Sequence, residues 1–192
     1  MGGPPYFLAR GMKLIYQSLS LVLAMLVLSA HSPWGQVQVY RQKHLLIMST
    51  ISDEPTYPFS RRLVTAINVA LPEARARPAR AKHFERLHSL FATKQMQVML
   101  LSRVNAEAAL KGSGPFVEYG ALSFKVLYQF GQLQLLAQTD FPAEHAWLVT
   151  NAILNSEEIS EFIDPPETVL SLQNLHHGSL LALQKEPMPI QR

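Results

Sequence analysis

Four apolar residues in a row, Leu45-Leu46-Ile47-Met48, followed by a polar stretch and then an amphipathic run, constrain this chain more than any other feature. An uninterrupted apolar run that ends in turn residues has the pattern of a strand buried on both faces. Ser49–Tyr57 is polar and turn-forming. Pro58 suits a first helical turn, where its missing N–H has no partner to lose. From Phe59 onward Leu63, Val64, Ile67, Ala70 and Leu71 fall on one helical stripe, and Pro72 stops it. Strand, polar loop and helix in that order open a doubly wound α/β unit. In such a unit the loop at the carboxyl end of the strand faces a ligand crevice.

The alternation continues. Glu73–Lys82 (EARARPARAK) interleaves Ala with Arg, and Pro78 suits an edge strand rather than a central one. His83–Lys94 is amphipathic through Phe84, Leu87, Leu90 and Phe91. Met96–Leu101 reads as a second buried strand, Asn105–Lys111 as a short helix, and Gly112–Pro115 as a turn. Val117–Phe130 alternates weakly and Leu133–Gln138 reads as a strand. Asp140-Phe141-Pro142 starts a helix to about Asn155, with Asp140 as its expected cap. Glu157–Phe162 and Leu180–Lys185 read as short helical pieces. The expected fold is α/β: a mainly parallel sheet with helices on both faces, in a single lobe.

Ahead of this lobe, Lys13 precedes an apolar stretch, Leu14–Ala30, that ends in small residues. That is the pattern of a secretory signal peptide, with Met12 as a candidate start. An uncleaved membrane anchor is the alternative, although the uncharged core is short for a span. The expected organisation is a signal segment over residues 1–36, one lobe over 37–186 and a tail over 187–192, in a periplasmic protein.

The chain has no cysteine, so disulfides, thiol catalysis and thiolate metal sites are excluded. Residues 1–130 hold 15 Lys/Arg against 6 Asp/Glu, and residues 131–192 hold 2 against 8. No nucleic-acid motif accompanies the basic half, so no nucleic-acid partner is expected. There is no glycine-rich phosphate loop, GxSxG elbow, HExxH or dinucleotide fingerprint. Asp53-Glu54 reads as a solvated turn, and His176-His177 lacks a carboxylate at ligand spacing. No catalytic residue, metal site or cofactor is therefore expected, and the chain is not read as an enzyme.

What remains is two strand-end loops. Thr50, Ser52, Thr56 and Tyr57 supply hydroxyls after the first strand, and Ser60 lies just inside the following helix. Ser102 and Arg103 follow the second strand, where Arg can grip a carboxylate through two hydrogen bonds. These seven residues are the candidate ligand-binding set.

Thr56-Tyr57-Pro58 ahead of an amphipathic helix resembles the Gly-Gly-Thr-Tyr-Tyr-Pro loop of TAXI-type solute receptors, the periplasmic components of some TRAP transporters. Leu87–Leu101, the DFPAEHAWLVTNAIL run at Asp140–Leu154, and Leu175-His176-His177-Gly178-Ser179 are similar to later segments of that family. The resemblance implies a lobe of a type II periplasmic-binding fold and a small carboxylate or amino-acid-like ligand, with Thr56, Tyr57 and Ser102 lining its site. Glu54-Pro55 stands where the family has Gly-Gly, and the family's receptors are about twice as long. A half-cleft binds weakly, because affinity comes from burying the ligand between two walls. Two functions follow as expectations. One is a solute-binding module for a small anionic or amino-acid-like ligand, helped by a transporter, another periplasmic protein or a second copy of the chain. The other is a non-catalytic periplasmic adaptor that has lost the ligand.

Overall fold

The computed structural model describes residues 44–189. The expected signal segment, residues 37–43 of the lead-in, and residues 190–192 lie outside the described residues.

The elements follow in chain order. β1 (Leu46–Thr50) leads through a polar loop to α1 (Thr56–Ala70), then β2 (Arg77–Ala81), α2 (Phe84–Ala92), β3 (Val98–Ser102) and α3 (Arg103–Lys111). After a loop come the hairpin β4 (Phe124–Phe130) and β5 (Leu133–Gln138), then α4 (Ala143–Leu154), α5 (Pro166–Leu170) and α6 (His177–Leu183). The five strands form one sheet in the order β2-β1-β3-β5-β4. β1 pairs in parallel with both β2 and β3, whereas β5 pairs antiparallel with both β3 and β4. Four of the five strands thus point the same way. The expected α/β lobe and the adjacency of the first and second apolar strands are both present. The hairpin makes the sheet mixed.

The pleat of the sheet divides the core in two. Ile47, Val98, Leu100, Leu135 and Ala137 pack under α1 and α4, with Val169 of α5 and Leu183 of α6. Met48, Met99, Leu101 and Leu136 pack under α2 and α3 with Phe116. Helices therefore cover both faces, and neighbours along a strand alternate between them, as a period of two requires. The weak alternation of Val117–Phe130 has a local cause. A β-bulge between Val126 and Tyr128 breaks the register. It leaves Phe124 and Val126 in the second core and Leu127, Tyr128 and Phe130 in the first.

Several boundaries depart from the sequence reading, and α3 follows β3 directly, starting at Arg103 rather than Asn105. α1 starts two residues before Pro58, at Thr56, whose hydroxyl is tied back into the loop. Asp140 does not cap α4. Pro142 takes that position, and Asp140 pairs instead with Lys94 at 2.5 Å, which holds its carboxyl below the usual range. The tight β4–β5 turn places Gly131 at φ 57°, a conformation suited to the first position of a two-residue hairpin loop.

The two ends of the sheet differ. The outer side of β4 is partly covered, because Asn174 O accepts from Val126 N and His176 N donates to Val126 O. Among the described residues no strand pairs with the outer side of β2. No helix among the described residues is long and apolar enough to cross a membrane.

α6 lies hard against the start of α4. A Cβ on Gly178 would sit 1.9 Å from Ala143 O. Gly178→Ala is expected to lower stability by about 3 kcal/mol by overpacking, read as a shift in the urea midpoint.

Candidate functional site

Because β1 and β3 run parallel and side by side, their carboxyl ends bring the loop after β1 to one rim with the β3–α3 junction, where Ser102 and Arg103 sit without the expected loop between strand and helix. The residue that joins them is Asp53. Its side chain is buried, contrary to the expectation of a solvated turn. One carboxylate oxygen accepts from Ser102 N at 2.8 Å and the other from Asn105 Nδ2 at 2.8 Å. These donors are the main-chain N–H of the N-cap residue of α3 and a side-chain amide from its first turn, a position that favours negative charge. Burial of Asp53 follows from this pairing, since a buried carboxylate needs hydrogen-bond donors. Its neighbours Glu54 and Pro55 are exposed.

The hydroxyls of the first loop turn inward. Thr56 Oγ1 donates toward Asp53 O (2.6 Å) and Thr50 O (3.1 Å), and Thr56 is fully buried. Thr50 Oγ1 accepts from Ser52 N, and Ser52 Oγ donates to Lys82 O. Ser60 Oγ donates to Tyr57 O at 2.8 Å and lies 3.3 Å from Ser49 Oγ. Ser102 Oγ caps α3 by accepting from Asn105 N. Tyr57 is half-buried with the Arg80 guanidinium 5.2 Å from its ring centre, and Arg103 is exposed. The structure thus gathers Thr50, Ser52, Thr56 and Ser102 around the rim. It uses their hydroxyls to hold the loops in place.

The rim is closed further by the hairpin. Gln132 O accepts from Arg103 N at 2.7 Å, and Asp164 grips the turn through Gly131 N and Gln129 Nε2. Tyr128 donates to Asp164 O. Burial, with the Asp164 and Glu167 charges, pushes its phenol up to about 12.

His176 is buried and caps α6. Its Nδ1 accepts from Gly178 N at 3.1 Å, which leaves the proton on Nε2 to be donated to Phe141 O at 2.9 Å. Among the described residues no three His, Asp or Glu side chains are grouped to hold a metal ion.

Sequence reasoning missed Asp53 and Asn105. The available signal was an acidic residue between a buried strand and a helix, which can reach the N-terminus of a neighbouring helix if the two strands are adjacent. No protein-family model matches the chain, and no curated protein matches it.

Two predictions follow from these contacts. Asp53→Ala strands two half-buried donors and is expected to cost about 3 kcal/mol in chemical denaturation, with Asp53→Asn nearly as costly because its amide presents a donor to a donor. Burial lowers the His176 pKa below 6.5, and the nearby His177 and Lys125 charges add to this. The folded state therefore resists a proton that the unfolded chain accepts. Stability is fully present above the unfolded value and falls as pH drops from about 6.5 toward the lower folded value. His176→Gln should flatten that part of a pH–stability curve.

Proposed function

We propose that this chain is a non-catalytic interaction protein, a single α/β lobe of solute-receptor type that works through contacts with another protein rather than through a ligand in its strand-end crevice. One observation carries the reading. The donors that the rim offers at the start of α3, Ser102 N and Asn105 Nδ2, already hold the carboxylate of Asp53. The chain supplies its own anion to the place where a receptor of this kind would take one from solution. With the hydroxyls of Thr56 and Ser60 spent on main-chain carbonyls, few polar groups are left to recognise a solute. The apolar, signal-like stretch at Leu14–Ala30 supports placing the protein outside the cytoplasm. The rival reading, a weak receptor for a small anion, draws on Arg103, which is exposed beside Ser102.

The test is a thermal-shift panel on the purified full chain with small carboxylates, amino acids and inorganic oxyanions. A true ligand at a hundredfold excess over its Kd would add about 2.7 kcal/mol, and no such shift is expected. A clear shift with any member would overturn the interaction reading in favour of the receptor. In the Asp53→Ala variant, formate or acetate is expected to restore part of the lost stability by refilling the vacated position.

A further inference from the structure

We propose that the outer edge of β2, which no strand among the described residues pairs with, is together with the arginine-lined groove between β2 and α1 a docking site for an extended acidic segment of another protein, taken up as an added strand. This rests on the interaction reading above and names the chemistry of the partner.

The main chain sets the first half of the argument. Arg77 N donates to Leu45 O, and Ala81 O accepts from Ile51 N, so the odd-numbered residues of β2 face β1. In a parallel ladder the intervening residues then turn their main-chain groups outward. Pro78 has no N–H to leave unpaired. The outer edge therefore offers Arg80 N–H as donor, with Arg80 C=O and Pro78 C=O as acceptors. Such a row is what an incoming peptide strand pairs with, and neither a lipid headgroup nor a nucleic acid uses it in that way.

The side chains set the second half. Pro78 and Arg80 lie on the α1 side of the sheet, while Ala79 and Ala81 face the α2 core. An open groove of about 480 Å³ runs there, lined by Pro58, Arg61, Arg62, Val64, Thr65 and Pro78. Arg80 borders it, stacked over Tyr57. Among the described residues no carboxylate lies within ion-pair distance of Arg61 or Arg80, and the one carboxylate near Arg62, which also lies over the Phe162 ring, is that of Glu161, at 3.8 Å between two exposed side chains. An exposed pair of that kind holds its partner weakly. The cationic side of the groove is therefore available to carboxylates, which guanidinium groups grip with paired hydrogen bonds. A strand with acidic residues at alternate positions would send every carboxylate to this face. Arg80 caps the Tyr57 ring, which argues against base stacking and hence against single-stranded nucleic acid.

The experiment is fluorescence polarisation with the full chain and a labelled peptide that alternates Glu and Val. Controls are a Lys/Val peptide, the Glu/Val peptide N-methylated at alternate residues, a short single-stranded DNA, and vesicles rich in phosphatidylglycerol. The Glu/Val peptide is expected to bind, and the Lys/Val and N-methylated peptides to bind about tenfold or more weakly. Arg61→Ala with Arg80→Ala is expected to weaken binding by about tenfold without moving the melting midpoint, since both side chains lie on the surface. Four results would each overturn the docking site: no binding at millimolar peptide, equal binding of the methylated peptide, an unaffected double variant that melts normally, or tighter capture of DNA or vesicles. If the peptide fails while the small-molecule panel stays silent, the docking site falls and the interaction reading stands. A small-molecule shift removes the reading beneath it.

Discussion

One carboxylate, that of Asp53, ties the exit of β1 to the start of α3. The two strands share only a short register, Ile47 with Val98 and Met48 with Met99. Beyond it the seam between β1 and β3 is held by the Asp53 side chain rather than by a ladder. Asp53 is suited to this because it accepts on both oxygens, from the main-chain N–H of Ser102 at the cap of α3 and from the Asn105 side-chain amide. The inward turn of the Thr56 hydroxyl, the capping role of Ser102 and the contact of Arg103 with the hairpin tip all adjoin that point. The corner at the carboxyl ends of β1 and β3 is part of the framework.

Much of the fold was legible because its signals are local. Leu133–Gln138 was read with its observed bounds, since five of its six residues are buried and a strand covered on both faces leaves an apolar run. The edge position of β2 was legible from Pro78 and its arginines. The direction of β5 was not read, although Phe130-Gly131-Gln132-Leu133 carries a hairpin signal in Gly131. The bulge at Leu127 disguised the strand before it by interrupting the period of two. The site was legible only by place. The chain order brought two polar loops to one rim, but nothing local in Asp53-Glu54 shows that the first residue is buried and the second exposed. That difference depends on Asn105, more than fifty positions away.

The unequal spread of charge also has a structural expression. The basic half of the sequence includes β2 and the exposed side of α1, where Arg61, Arg62 and Arg80 share a surface. The acidic half includes Asp164, whose carboxylate is fully engaged in fastening the hairpin tip. Similar residue counts thus do different work. The acidic groups nearest the sheet serve its internal bonding, while the arginines remain at the periphery.

The covered side of β4 has a consequence for how copies of this chain can meet. A sheet with two bare margins can be extended without limit, each newcomer presenting a fresh one. Here Asn174 and His176 occupy the main-chain groups of Val126 on one margin. Two molecules that met along the β2 margin would join like to like, a two-fold arrangement that closes at a pair. Even that pair would set arginine against arginine.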